Sequence, residues 1–120
     1  MKKELIIIFL IILIDQFLKR SLNHILRNYG ASFNILEGYK LILIIISLIA
    51  LIIFIYLFIK EKDKIPFSLL IAGTTSNLID RLLLGYVVDY INLFNLFNFN
   101  LADLSNTIGI IILILKTWKK

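Results

Sequence analysis

Four of the eight acidic residues stand apart from the others. Glu4, Glu61 and Asp63 lie among lysines and Glu37 lies in a connecting segment, places where a carboxylate needs no special account. Asp15, Asp80, Asp89 and Asp103 instead sit in or beside long runs of Ile, Leu and Phe, where an ionisable group is expensive and requires a partner or a function. Asp89 belongs to Gly85-Tyr86-Val87-Val88-Asp89-Tyr90, a short stretch with β-like composition. Asp103 belongs to Phe99-Asn100-Leu101-Ala102-Asp103, at the start of an apolar run. Asn100 suits an N-cap, and a helix N-terminus favours a carboxylate three residues on, so Asp103 taken alone is accounted for as a helix-start residue. Taken together, the two suggest more. Two Asp side chains brought close in a low-dielectric site do not readily both ionise. One keeps its proton while the other stays charged, which supplies an acid and a base at neutral pH. That pairing suits peptide-bond hydrolysis by an activated water.

The elements that would hold these residues are membrane helices. Of the 120 residues, 60% are hydrophobic and 18% charged, and Ile and Leu alone fill 50 positions. A chain this short and apolar has too little polar surface to cover a water-soluble globule. The composition excludes a disordered chain, a nucleic-acid-binding domain and a typical cytosolic enzyme. The absence of cysteine removes disulfides, thiolate zinc sites and cysteine nucleophiles, and a single histidine, His24, leaves little for a metal site. At about 20 helical residues per crossing, four spans are predicted, over residues 4–22, 41–59, 65–84 and 101–118. They form a single integral-membrane domain, residues 1–120. The second span has only Ser47 and Tyr56 carrying a polar atom. Pro66 starts the third, in the first turn where a missing N–H costs nothing. Trp118 beside Lys116, Lys119 and Lys120 has the composition of a membrane–water boundary. The first span is the least apolar. A secretory signal peptide could also begin Met1-Lys2-Lys3, but no small-residue cleavage site follows Leu5–Ile14. The segment is therefore expected to remain as a short span with Asp15 facing other helices.

Charge placement orients the spans. The net charge is +5, and eight of the thirteen Lys and Arg fall at the two ends and in the turn Lys60-Glu61-Lys62-Asp63-Lys64. The positive-inside rule makes both termini and this turn cytoplasmic, with loops 19–40 and 85–100 facing outward. All four isolated Asp residues then lie toward the outer face. Asp15 and Lys19, four apart, are expected to pair on one helix face. Gly73, Asn77, Asp80, Arg81 and Leu84 follow one another along one face of the third span. The small residues Ala72-Gly73-Thr74-Thr75-Ser76 permit close helix approach. Helix packing, with an Asp80–Arg81 pair satisfied internally, explains the small residues but not a full charge pair at the outer end.

The order of these motifs resembles the lipoprotein signal peptidase (signal peptidase II) family. The matching elements are Asp15-Gln16-Phe17-Leu18-Lys19, Asn28-Tyr29-Gly30-Ala31-Ser32-Phe33, Asn77-Leu78-Ile79-Asp80-Arg81, Gly85-Tyr86-Val87-Val88-Asp89-Tyr90 and Phe99-Asn100-Leu101-Ala102-Asp103. Each is weak alone; five in the right order are a strong signal. The resemblance implies an all-α membrane protein, four transmembrane helices with a small extracytoplasmic β-like element, in the bacterial inner membrane. It implies an aspartyl endopeptidase that removes the signal peptide from diacylglyceryl-modified prolipoproteins without metal or cofactor. A monomer among membrane lipids is expected. The family's catalytic pair falls on Asp89 and Asp103. Asn28, Gly30, Asn77, Arg81 and Asn100 match residues that line the site and hold the substrate backbone. Asp15, Lys19 and Asp80 match its supporting polar network.

The chain departs from the family pattern at several places. Ser76 stands where the family usually has Gly, Ser32 where it usually has Ala, and Tyr90 where it usually has Phe. Only eight residues separate Lys19 from Asn28, and thirteen separate Asp89 from Asp103. Both intervals are short for the family, so the outer β-like element and the cover over the site are expected to be reduced. That reduction motivates an alternative, a non-catalytic relative that binds lipidated peptides. A small transporter would spread its carboxylates through the membrane depth, whereas these cluster toward one side.

Overall fold

A computed structural model describes residues 1–30 and 38–119. Ala31, Ser32 and Phe33 of the second motif, Glu37 and Lys120 lie outside the described residues. The elements run α1 (Lys2–Ser21), β1 (Leu26–Asn28), α2 (Lys40–Lys60), α3 (Ile65–Leu84), β2 (Val87–Asp89), β3 (Ile91–Leu93), β4 (Phe97–Phe99) and α4 (Leu101–Trp118). The helix ends agree with the predicted segments to within two residues. Two helices, α2 and α4, are long and apolar enough to cross a bilayer by length and composition. In α1 and α3 the charges that dilute the apolar character are turned inward: Asp15, Lys19 and Asp80 are all fully or almost fully buried.

The central helix is α3, which packs against α1, α2 and α4. It is amphiphilic in an inverted sense. Its buried positions include Ser68, Gly73, Ser76, Asn77 and Asp80, while Leu82, Leu83 and Leu84 are exposed. Close approach to α4 is set by Gly73 and Gly109. A Cβ on Gly73 would stand 2.4 Å from the Ala102 carbonyl oxygen, and one on Gly109 would stand 2.9 Å from that of Pro66. Ser105 fastens the same contact by donating to the Leu69 carbonyl at 2.7 Å. Phe58, Phe67, Leu70 and Ile71 form the apolar core, joined by Ile8, Leu51, Phe54, Leu57 and Leu113. Near it Lys64 closes the end of α2 through the Phe58, Ile59 and Glu61 carbonyls, and Lys116 of α4 pairs with Asp63.

At the opposite end, α3 stops at Gly85, whose φ of +83° is the left-handed conformation that glycine adopts without penalty. The chain then turns into β2, which pairs antiparallel with β1 in the register Leu26–Asp89, Arg27–Val88 and Asn28–Val87. β3 and β4 form a hairpin with Ile91 opposite Phe99. Phe94 and Asn95 at its tip both have positive φ, 55° and 56°. Asn accepts that conformation readily; for Phe94 it costs roughly 1 kcal/mol. These two small sheets are the β-like element expected at this end, and β2 is the strand that delivers Asp89.

Candidate active site

Asp103 is positioned by local chemistry. The Asn100 side chain accepts the Asp103 N–H at 2.8 Å, while the Asp103 carboxylate accepts the Asn100 N–H at 3.1 Å. This reciprocal capping box satisfies two helix-end donors at once and holds the carboxylate on the first turn of α4. Its other oxygen accepts a hydrogen bond from the Asn77 amide of α3 at 3.0 Å.

Asp89 is positioned by tertiary contacts. Asp80, nine residues before Asp89, accepts the Val88 N–H at 2.9 Å and so pins β2 to the end of α3. The Asp89 carboxylate accepts from the Asn28 amide at 3.4 Å across the β1–β2 pair and from the Asn100 amide at 3.2 Å. The buried Asn100 amide also donates to Asn77 Oδ1 at 3.0 Å and to the Val88 carbonyl at 3.1 Å. Two asparagines therefore bridge the carboxylates: Asn77 donates to Asp103 while its oxygen accepts from Asn100, which donates to Asp89. Burial pushes the Asp89 carboxyl up to about 7, and the negative charge of Asp103 adds to that push. Asn28 and Lys19 oppose it.

Asp89 and Asp103 line one cavity of about 970 Å³. Asn28, Asn77 and Arg81 line it too, so it gathers five of the residues that the sequence singles out. Its remaining walls are largely apolar, with Ile46, Ala50 and Phe54 from α2, Leu70 from α3, Ile110 from α4, and Leu93, Leu96 and Phe97 from the hairpin. Arg81 directs its guanidinium toward Ser47 Oγ and the Gly30 carbonyl, both at 3.4 Å. The Gly30 N–H donates to Asn28 Oδ1 at 2.9 Å. Among the described residues, no group of three His, Cys, Asp or Glu comes together to hold a metal ion.

Behind the cavity lies a buried polar network. Lys19 meets Asp15 at 2.8 Å and Asp80 at 3.0 Å, with all three side chains at 0% exposure. Lys19 also donates to Asn77 Oδ1 at 3.0 Å. The expected Asp15–Lys19 pair is present. The alternative of an Asp80–Arg81 pair is not how these charges are satisfied. Successive residues on a helix point about 100° apart, and this turn sends Asp80 to Lys19 and Arg20 of α1 while Arg81 faces the cavity. Four further residues belong to the network beyond those singled out as site residues. Gln16 donates to Asp80 Oδ1 at 3.1 Å, and Arg20 reaches the same oxygen at 3.3 Å. Ser76 and Tyr90 both donate to Asp15, each at 2.6 Å. The available signal for these two was their departure from Gly and Phe.

This arrangement defines a helical-bundle protein with two asparagine-linked aspartates at one end, lining a cavity with largely apolar remaining walls. The profile of the family "Signal peptidase (SPase) II" matches residues 7–119, and the chain belongs to that family. It is similar to the lipoprotein signal peptidases of Staphylococcus aureus strains JH9 and Newman, 43% identical over 103 residues, covering 78% of this chain and 63% of each relative. The chain thus spans less than two thirds of the length of these curated relatives. Two solved structures described as bacterial membrane enzymes, determined by the in meso method, superpose on it. The first has a TM-score of 0.91 at 32% identity, covering 99% of this chain and 89% of its own. The second has a TM-score of 0.87 at 32% identity, covering all of this chain and 95% of its own.

Proposed function

We propose that the protein is an intramembrane aspartic endopeptidase that cleaves the signal peptide from lipid-modified prolipoproteins, with Asp89 and Asp103 as its catalytic pair. The observation that carries this reading is that both carboxylates, linked through Asn77 and Asn100, line one cavity with mostly apolar walls. Such walls suit the signal-peptide residues and acyl chains of a substrate that stays in the bilayer. The polar rim receives the scissile bond.

In this reading Asp89 carries the shared proton, and Asp103, which accepts the Asn100 N–H at the start of α4, carries the charge. The pair titrates as a unit. Asp103 takes a proton from a water held between the pair as the water oxygen attacks the carbonyl carbon. Asp89 gives its proton to the carbonyl oxygen, producing a gem-diol. Collapse of that intermediate breaks the C–N bond, the nitrogen leaves with a proton from Asp103, and one gem-diol hydroxyl returns its proton to Asp89 as the new carboxyl C=O forms. Arg81, Asn28 and Gly30 hold the substrate backbone at the rim in this reading.

All four helices cross the membrane in this reading. Each has 18 to 21 residues, about 30 Å of helix at 1.5 Å per residue, and the longest dimension of the molecule is 40 Å. The termini and the 60–64 turn are cytoplasmic and the site lies near the outer face. The test is cleavage of a diacylglyceryl lipopeptide by the purified chain in detergent. Asp89→Asn and Asp103→Asn are each expected to lower turnover at least ~1,000-fold while remaining folded. Normal turnover in either variant overturns the assignment; lipopeptide binding without cleavage by the unsubstituted chain would favour a non-catalytic binder.

A further inference from the structure

Asp15 lies outside the cavity, yet it receives three donors from three directions. Its Oδ1 accepts the Tyr90 hydroxyl at 2.6 Å. Its Oδ2 accepts the Ser76 hydroxyl at 2.6 Å and meets the Lys19 ammonium at 2.8 Å. The Tyr90 oxygen in turn accepts the Leu101 N–H at 2.8 Å, one of the first-turn donors of α4 that has no partner inside the helix. The Tyr90 N–H donates to the Phe99 carbonyl at 3.2 Å. Tyr90 therefore follows Asp89 directly in the chain, is tied through its backbone to Phe99 and through its oxygen to Leu101, and rests on Asp15 of α1. Residues 99 and 101 flank Asn100, whose capping box holds Asp103.

We propose that Tyr90 is a positioning residue for the aspartate pair: its hydroxyl clasps the end of β2 that carries Asp89 to the turn of α4 that carries Asp103, with Asp15 as the anchor. This rests on the proposed peptidase reading for its functional meaning. Ser76 keeps the anchor in place by occupying the oxygen of Asp15 that Tyr90 leaves free. Both hydroxyls meet the same carboxylate. The Tyr90 hydroxyl keeps its proton, and hence its donor role, because burial and the neighbouring Asp15 both raise its titration well above the ordinary tyrosine range. A catalytic role for Tyr90 is not part of the proposal, since it does not line the cavity.

The charged groups that act on Asp89 are Asp103 from α4, Lys19 from α1, and Asp80 and Arg81 from α3. Arg27 from β1 shares the cavity lining, and α2 contributes the neutral Ser47. Loosening the clasp separates Asp89 from Asp103 and admits water, and both changes return Asp89 toward the ordinary carboxylate range. Two readouts on the full chain in detergent test this. In Tyr90→Phe, turnover of a diacylglyceryl lipopeptide is expected to fall about 10-fold or more with KM within about twofold, and the alkaline limb of the rate profile to move to lower pH. In the same variant labelled with ¹³C-Asp, the Asp89 carboxyl midpoint followed by NMR is expected to fall by about half a pH unit or more. Ser76→Ala is expected to move that midpoint in the same direction by less, and it serves as the test if Tyr90→Phe does not fold. An unmoved midpoint in the folded variant overturns the proposal, as does a turnover loss with the rate profile in place, which is the mark of a purely structural hydroxyl. The NMR readout needs no activity, so an inactive unsubstituted chain would defeat the peptidase reading while the clasp is still judged by the midpoint.

Discussion

Asp89 and Asp103 are the same residue type held by different physics. Asp103 is held by its own helix start, through a capping box that spans four residues. Asp89 depends on Asp80, Asn28 and Asn100, none of them nearer than nine residues in sequence. Because Asp89 is raised from 3.8 to about 7, the folded protein holds that proton more firmly than the unfolded chain between these values. The stability this group contributes is full below about pH 4 and is lost as pH rises through 7. Asp89→Asn is therefore expected to gain melting temperature relative to the unsubstituted chain at pH 8 and not at pH 4, as calorimetry would measure. In Asp103→Asn, the Asp89 midpoint in a ¹³C-carboxyl titration should drop but remain above the ordinary value, because burial is the larger cause and Asp103 the second. A midpoint that does not respond to Asp103→Asn would mean that the carboxylates do not sense one another. Lys19 serves two buried carboxylates and Asn77 at once. Lys19→Met removes the cation from buried Asp15 and leaves Asp80 with Arg20 alone, and a loss of about 3–5 kcal/mol is expected in denaturant or thermal unfolding.

At the scale of elements, α3 is the frame on which the site is assembled, because it touches every other helix and delivers Asn77, Asp80 and Arg81 within two turns. Its approach to α4 sets the distance from Asn77 to the capping box. Gly73→Ala would place a methyl 2.4 Å from the Ala102 carbonyl and from Asn106 Oδ1. Backbone cannot yield there as a flexible side chain could, so the expected cost is about 1–3 kcal/mol, read as a lower melting temperature together with weaker turnover. Much at this scale is legible in the sequence. The apolar lengths mark four helices, Pro66 and Asn100 mark two of their starts, the small residues 72–76 mark a close contact, and the 15–19 spacing marks an ion pair. The partner of Asp80 is not legible, because one residue of rotation about a helix axis decides whether a charge meets α1 or the cavity.

The whole molecule has an unusually small core, made of a few Phe, Leu and Ile side chains near the 60–64 turn, with most large apolar residues on its outside. Such a surface is stable only against lipid, where exposed Ile and Leu need no cover. The polar residues gather instead in the interior and at one end. The cysteine-free chain allows a direct test of the proposed four-span orientation. Asn95→Cys at the hairpin tip is expected to react with a membrane-impermeant maleimide in intact cells, and Lys62→Cys only after permeabilisation; the reverse pattern would invert the topology.

The Ile- and Leu-rich runs, the charged ends and the ordered Asp and Asn motifs determined the family, the number of helices and the residues worth testing, because each of these signals acts over one helix turn or one helix length. Only the tertiary structure decided how the polar groups divide their partners. It separated Asp80 from Arg81, joined Asp103 to Asp89 through two asparagines, and brought Ser76 and Tyr90, fourteen residues apart, onto the single carboxylate of Asp15. In a low-dielectric interior every buried donor and acceptor must find a partner, and which partner it finds depends on how separate helices rotate and pack, information that no local pattern carries.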